Sequence, residues 1–89
     1  MWDKWKFIES EKSHSIYIEN SSKEKVLEAT KDGKVILQVK DKDKDEQLWK
    51  KGVPNNEGYF TLENENGKVI TAMSNGGLEI KGNNSEMTF

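Results

Sequence analysis

GYFTLENENGKVITAMSNGGLEIKG, residues 58–82, is the stretch on which the fold turns. Within it, Phe60 and Leu62 alternate with Tyr59, Thr61 and Glu63, which is the two-residue period of a half-buried strand. Asn66-Gly67 is expected to supply the positive φ angles of a tight hairpin turn. Val69, Ile70 and Ala72 form a second apolar run, Asn75-Gly76-Gly77 a second turn, and Leu78 and Ile80 a third run ending at Gly82. A helix needs about ten residues free of breakers, and this stretch offers none. The pattern predicts sheet.

Working outward, the N-terminal half reads as a second, looser version of the same stretch. Ser15–Asn20 superimposes on Tyr59–Asn64, with the apolar pair and the closing Glu-Asn coinciding. Lys25–Ala29 falls on Lys68–Ala72, Asp32-Gly33 on Asn75-Gly76, Leu37–Lys40 on Leu78–Lys81, and Glu46–Trp49 on Glu86–Phe89. The offsets slip only inside turns, so the chain reads as two copies of a unit of roughly 40 residues. Residues 1–89 form a single domain, with repeat one at about 5–48 and repeat two at about 49–89. The aromatics Trp5, Trp49 and Phe89 mark the unit boundaries and read as core anchors. Trp2 has no counterpart in the repeat and reads as a contact or capping residue.

Each unit is expected to hold four short strands. In the first they are Lys4–Ile8, Ser15–Asn20, Lys25–Ala29 and Lys34–Lys40, and in the second Leu48–Gly52, Gly58–Asn64, Lys68–Ala72 and Gly77–Lys81. Short strands at regular spacing, joined by polar turns, point to an all-β sandwich or barrel.

Bulk properties narrow the possible functions. The chain has 89 residues, of which 33% are hydrophobic and 34% charged, so its core is small and spare apolar surface favours association. Fourteen basic residues against 16 acidic ones give a net charge of −2, which offers no basic face for nucleic acid. Without cysteine there is neither a disulfide frame nor a thiolate metal site. Val35-Ile36-Leu37 is the longest apolar run, too short for a membrane span. The opening MWDKWKF lacks a signal-peptide core, so the expectation is a protein that does not use that export route or whose signal has been removed; the compartment stays open, with the cytoplasm favoured.

The motifs now point to a family. A four-stranded unit of this length with Gln47-Leu48-Trp49 near its end resembles the repeat of the ricin B-chain-like β-trefoil lectins, whose signature is Gln-x-Trp. The run from Phe60 to Ile70 resembles that family's second and third strands. Two departures stand out. Met87-Thr88-Phe89 replaces Gln-x-Trp in the second unit, and the family uses three units where this chain holds two.

The resemblance implies an all-β, β-trefoil-like fold and shallow sugar sites, one per unit. Two units leave barrel strands unpaired, so the expectation is completion by a homo-oligomer, a trimer of two-unit chains satisfying the count, or by a partner piece if the chain is a fragment. By the resemblance, Glu28 stands at the acidic position of the first sugar site, Gln38 and Lys40 near the aromatic platform, and Glu46 at the position of an Asn beside Gln-x-Trp. In the second unit Thr71 takes the acidic position, with Glu79, Lys81 and Glu86 near the others. Such sites pair carboxylates and amides with adjacent hydroxyls and cover the ring's apolar side with an aromatic face. No aromatic stands at the platform position; Tyr17 and Tyr59 are substitutes whose strand positions differ from the family's. Glu28 and Thr71 also read, more plainly, as solvent-facing strand residues.

Other signals carry less. His14 has no second His or Cys to share a metal. Asp41–Glu46 opens like a calcium loop but has Glu46 where Gly is needed and Gly52 where Glu is needed, so it reads as a solvated loop and no cofactor is implied. Asn20-Ser21-Ser22 and Asn83-Asn84-Ser85 match the glycosylation pattern, as an Asn- and Ser-rich chain does by chance. No nucleophile constellation or phosphate loop is visible, and the expectation is no enzyme. Three functions remain: a module binding carbohydrate or glycoconjugate at several weak sites, a protein-interaction module on a trefoil scaffold that has lost its sugar sites, and a structural subunit completing another barrel.

Overall fold

The computed structural model describes residues 5–12, 14–20, 24–74, 78–81 and 87–88, with side-chain environments given as far as Met73. The strands are β1 (Trp5–Glu9), β2 (Ile16–Asn20), β3 (Lys25–Ala29), β4 (Val35–Gln38), β5 (Trp49–Lys51), β6 (Tyr59–Asn64), β7 (Val69–Ser74), β8 (Leu78–Lys81) and β9 (Met87–Thr88). A single 3-10 turn, Asp45–Gln47, precedes β5, and no α-helix occurs among the described residues. The fold is all-β and consistent with a partial β-trefoil.

Turn chemistry explains why the strands stop where they do. Thr30–Gly33 and Asn64–Gly67 share one geometry. The fourth residue's N–H donates to the first residue's carbonyl (3.1 and 2.9 Å), and the first residue's N–H donates to the carbonyl just beyond the turn (2.8 Å in both). Gly33 and Gly67 take φ of 85° and 84°, the left-handed step that re-aims the chain into the next strand. Asn66 has no positive φ, contrary to the expectation of a two-residue Asn-Gly turn. The loop is one residue longer, so glycine alone takes the left-handed position, and the Asn66 side chain is left free to donate to Ala29 O at 3.0 Å.

The nine strands form one sheet in the order β1-β8-β7-β6-β5-β2-β3-β4-β9, with β1 also paired to β2. The pairing therefore returns on itself through β1, β2, β5, β6, β7 and β8. Two joints in that circuit are narrow, each a single register pair: Trp5 with Leu78, and Ile16 with Trp49. The sheet thus curls until its first strand meets its eighth, so β1 is not the open edge that two units alone were expected to leave.

Alternation along the strands sorts side chains between two faces. On the inner face Ile18, Leu27, Ala29, Val35, Trp49, Phe60, Leu62, Ile70 and Ala72 make the core, with Trp5, Phe7, Ile16 and Leu37 packed against it. On the outer face of β2 and β3, Tyr17, Val26 and Leu48 form a small second cluster with Ile8. Trp49 is fully buried and Trp5 half-buried, whereas Phe89 and Trp2 lie outside the described residues.

Registers recur between the halves. Trp5 faces Asn20 and Lys6 faces Glu19 in β1–β2, just as Trp49 faces Asn64 and Lys50 faces Glu63 in β5–β6. The fourth strands differ. Val35 faces Ala29, but Ile80 faces Ala72, so Leu78 is not the ladder equivalent of Leu37 that the letter match suggested. The β7–β8 ladder runs on through Met73–Glu79 and Ser74–Leu78, pairs beyond the point where β3–β4 has already turned at Thr30–Gly33.

Candidate functional site

Gln47, from the Gln-x-Trp motif, is the hub of the region around the first predicted sugar site. It is fully buried, brought inward by the 3-10 turn that ends in it. Its Nε2 donates to Val39 O at 2.9 Å and to Glu28 Oε1 at 3.2 Å, while its Oε1 accepts from the Asp41 N–H at 2.8 Å. One amide thus fastens the segment following β4 to the outer face of β3. Gln47 belongs to the 3-10 turn and β5 begins only at Trp49, so Trp49 enters the inner core while its neighbour Leu48 stays in the outer cluster, and Trp49 Nε1 donates to Leu27 O at 3.1 Å. Asn64 locks the same turn from β6: its Nδ2 donates to Glu46 O (2.8 Å) and Leu48 O (2.9 Å), and its Oδ1 accepts from the Asn66 N–H at 3.0 Å.

The six predicted residues separate into two groups. Glu28, Gln38, Lys40 and Glu46 gather around the outer face of β3 and β4. Glu28 is buried, not solvent-facing: its carboxylate accepts from Gln47 and forms an ion pair with Lys44 at 3.4 Å. Gln38 is exposed at the end of β4, opposite Val26. Lys40 is exposed and holds its ammonium 5.1 Å from the centroid of the Tyr17 ring. Glu46 is half-buried in the 3-10 turn. Thr71, half-buried on β7, faces Thr61 and Lys81, and Glu79 faces Met73 from β8. Glu86 lies outside the described residues.

Tyr17 is 4% exposed and covered by Lys40, so its ring is not an open platform. Burial raises its phenol pKa above the ordinary value, and the negative charges of Glu11 and Asp41 add to the effect. Lys12 pairs with Asp45, tying the β1–β2 connection to the segment that carries Lys44. A separate groove of about 440 Å³ runs past Glu9, Glu11, His14 and Lys51, and none of the predicted site residues lines it. Among the described residues no cluster of His, Asp or Glu is arranged to hold a metal ion. The residues not foreseen at this site are Gln47, Lys44 and Asn64. Gln47 carried a signal, the motif itself, whereas Lys44 sat unmarked in an alternating charge run.

The family model described as "Ricin-type beta-trefoil lectin domain-like" matches residues 1–86. The chain belongs to that family. No curated protein and no solved structure gives a significant match. Within this member of the ricin-type lectin-like family, the Gln-x-Trp motif has a structural job: Gln47 anchors the loop over Glu28, and Trp49 fills the core.

Proposed function

We propose that the chain is a non-catalytic carbohydrate-binding module. The observation that carries this reading is the grouping of Glu28, Gln38, Lys40 and Glu46 on the outer face of β3 and β4, in a chain of lectin-like family. Glu28 is the acceptor for ligand hydroxyls, Gln38 and Lys40 the exposed donors, and Glu46 closes the rim. Thr71 and Glu79 provide the poorer, second-unit counterpart. Weak sites of this kind gain strength by repetition. We therefore also propose self-association, with the one-pair joint between β1 and β8 as the place where strands are shared between copies.

A glycan array followed by calorimetric titration tests the sugar reading. Binding at millimolar or tighter strength, lost in Glu28→Gln, supports it; silence toward every glycan refutes it. Sedimentation across a wide concentration range tests association, and a monomer throughout removes that part. A protein-interaction module is the second reading, favoured by the 91% exposure of Val53 and 69% of Val39. Retained partner capture in Glu28→Gln, with no glycan binding, would establish it instead.

A further inference from the structure

The turns ending in Gly33 and Gly67 close with the same backbone hydrogen bonds, yet Asp32 precedes the first glycine and Asn66 the second. Asp32 is satisfied inside its own turn. Thr30 Oγ1 donates to its carboxylate, and that bond is the main reason its pKa lies below the ordinary value. Asn66 reaches outward instead: its Nδ2 donates to the carbonyl of Ala29, 37 residues earlier, and so ties the β6–β7 hairpin to the end of β3.

An asparagine followed by glycine is chemically labile, because no Cβ on the second residue hinders attack by its backbone nitrogen on the side-chain amide. The Gly67 nitrogen forms a bond to Asn66 Cγ, the Cγ–Nδ2 bond breaks, and ammonia leaves behind a cyclic imide. Water then opens the imide at either carbonyl, giving an aspartyl or an isoaspartyl residue. In the folded chain both reacting groups are held: the Gly67 N–H donates to Asn64 O at 2.9 Å, and Asn66 Nδ2 to Ala29 O at 3.0 Å. Asn66 is nonetheless exposed to water, so a local opening of this turn admits the reaction.

We propose that Asn66-Gly67 is a self-modification site, restrained by the Ala29 contact, whose deamidated product removes that contact. A carboxylate has no proton to give the Ala29 carbonyl and sets a negative charge beside it. Asn64 stands in this turn where Thr30 stands in the other, so that position offers no hydroxyl to the new carboxylate. Opening promotes the reaction, and the reaction favours the open turn. Each event is irreversible and adds a negative charge to a chain of net charge −2.

The test is peptide mapping by mass spectrometry after incubation at mildly alkaline pH, in native buffer and in guanidinium chloride that unfolds the chain. Asn75-Gly76, which lies outside the described residues, is read as a separate peptide. With two restraining bonds to break, Asn66 is expected to deamidate about thirtyfold more slowly in the folded chain than in the unfolded one. Asn66→Asp should unfold at lower urea than wild type, its unfolding equilibrium constant about tenfold larger. Asn66→Gln, whose longer side chain does not close the same ring, should stay unmodified at this position. Equal rates in native buffer and guanidinium chloride overturn the inference, as does an Asn66→Asp chain as stable as wild type. Should Asn66→Asp not fold, the rate comparison on the wild-type chain decides alone.

Discussion

Replacing Gln47 by Met tests the claim that this amide, more than any apolar contact, holds the segment between β4 and β5 in place. The substitution keeps length and approximate volume, so little of its effect comes from a cavity. It removes three hydrogen bonds, to Val39 O, Asp41 N and Glu28 Oε1. Each neutral bond contributes about 1 kcal/mol net and one to a charged group about 1.5–3 kcal/mol, for a sum of about 3.5–5 kcal/mol. The Val39 and Asp41 bonds are only part-buried, so water replaces some of the loss and the lower end is expected. A domain of this length is stable by roughly 4–13 kcal/mol, which makes even about 3 kcal/mol a large fraction. Urea denaturation of wild type and Gln47→Met, read as a midpoint shift at constant slope, measures it directly. A loss below about 1 kcal/mol would refute the reasoning and return the loop's order to hydrophobic contact. Gln47→Glu supplies a signed control by setting a second carboxylate against Glu28. Repulsion raises a carboxyl pKa in the folded variant above its unfolded value near 4.3, so the deficit is greatest at neutral pH and shrinks as pH falls through the raised value.

Three further outcomes follow from the packing. Trp49→Phe removes the donor to the buried Leu27 carbonyl and should cost about 1–3 kcal/mol by thermal or urea denaturation. Gly52→Ala brings a Cβ to 2.6 Å from Thr61 Oγ1 and 3.5 Å from the Thr61 carbonyl; a loss of about 1–3 kcal/mol is expected, with most of it recovered in Gly52→Ala/Thr61→Ala as a non-additive double mutant. Because burial raises the Tyr17 pKa above its unfolded value, the stabilising contribution is complete below about pH 10 and disappears as pH rises through the folded pKa. Tyrosinate absorbance during alkaline titration should show one late ionisation, which Tyr17→Phe eliminates.

Much of the fold was legible because local signals agreed with one another. Alternation placed β6 at Tyr59–Asn64 and β3 at Lys25–Ala29, and the Gly33 and Gly67 turns punctuated them. Where a strand had few residues to show a period, the pattern failed. The two-residue β9 was not foreseen, and Leu37 and Leu78 look alike in sequence while occupying different rungs of their ladders. The state of Glu28 was hidden for another reason. Its position after Val26-Leu27 reads as a solvated strand residue, and only the loop folded back from Val39 to Gln47 encloses it. The partners that make its burial tolerable lie 16 and 19 residues away, too far for any local period to register.

The contact between Trp5 and Leu78 has a bearing on how the molecule is born. A nascent chain cannot join β1 to β8 until the segment carrying Leu78 has cleared the ribosome. Earlier hairpins, such as the one turning at Gly33, form from neighbours and need not wait. Closure therefore joins the most distant segments of the sheet, and the entropy of bringing such remote segments together makes it slow. Until it happens the nascent N-terminal strand is held only by β2, which makes that interval the period when a chaperone, or a second chain, has access to it.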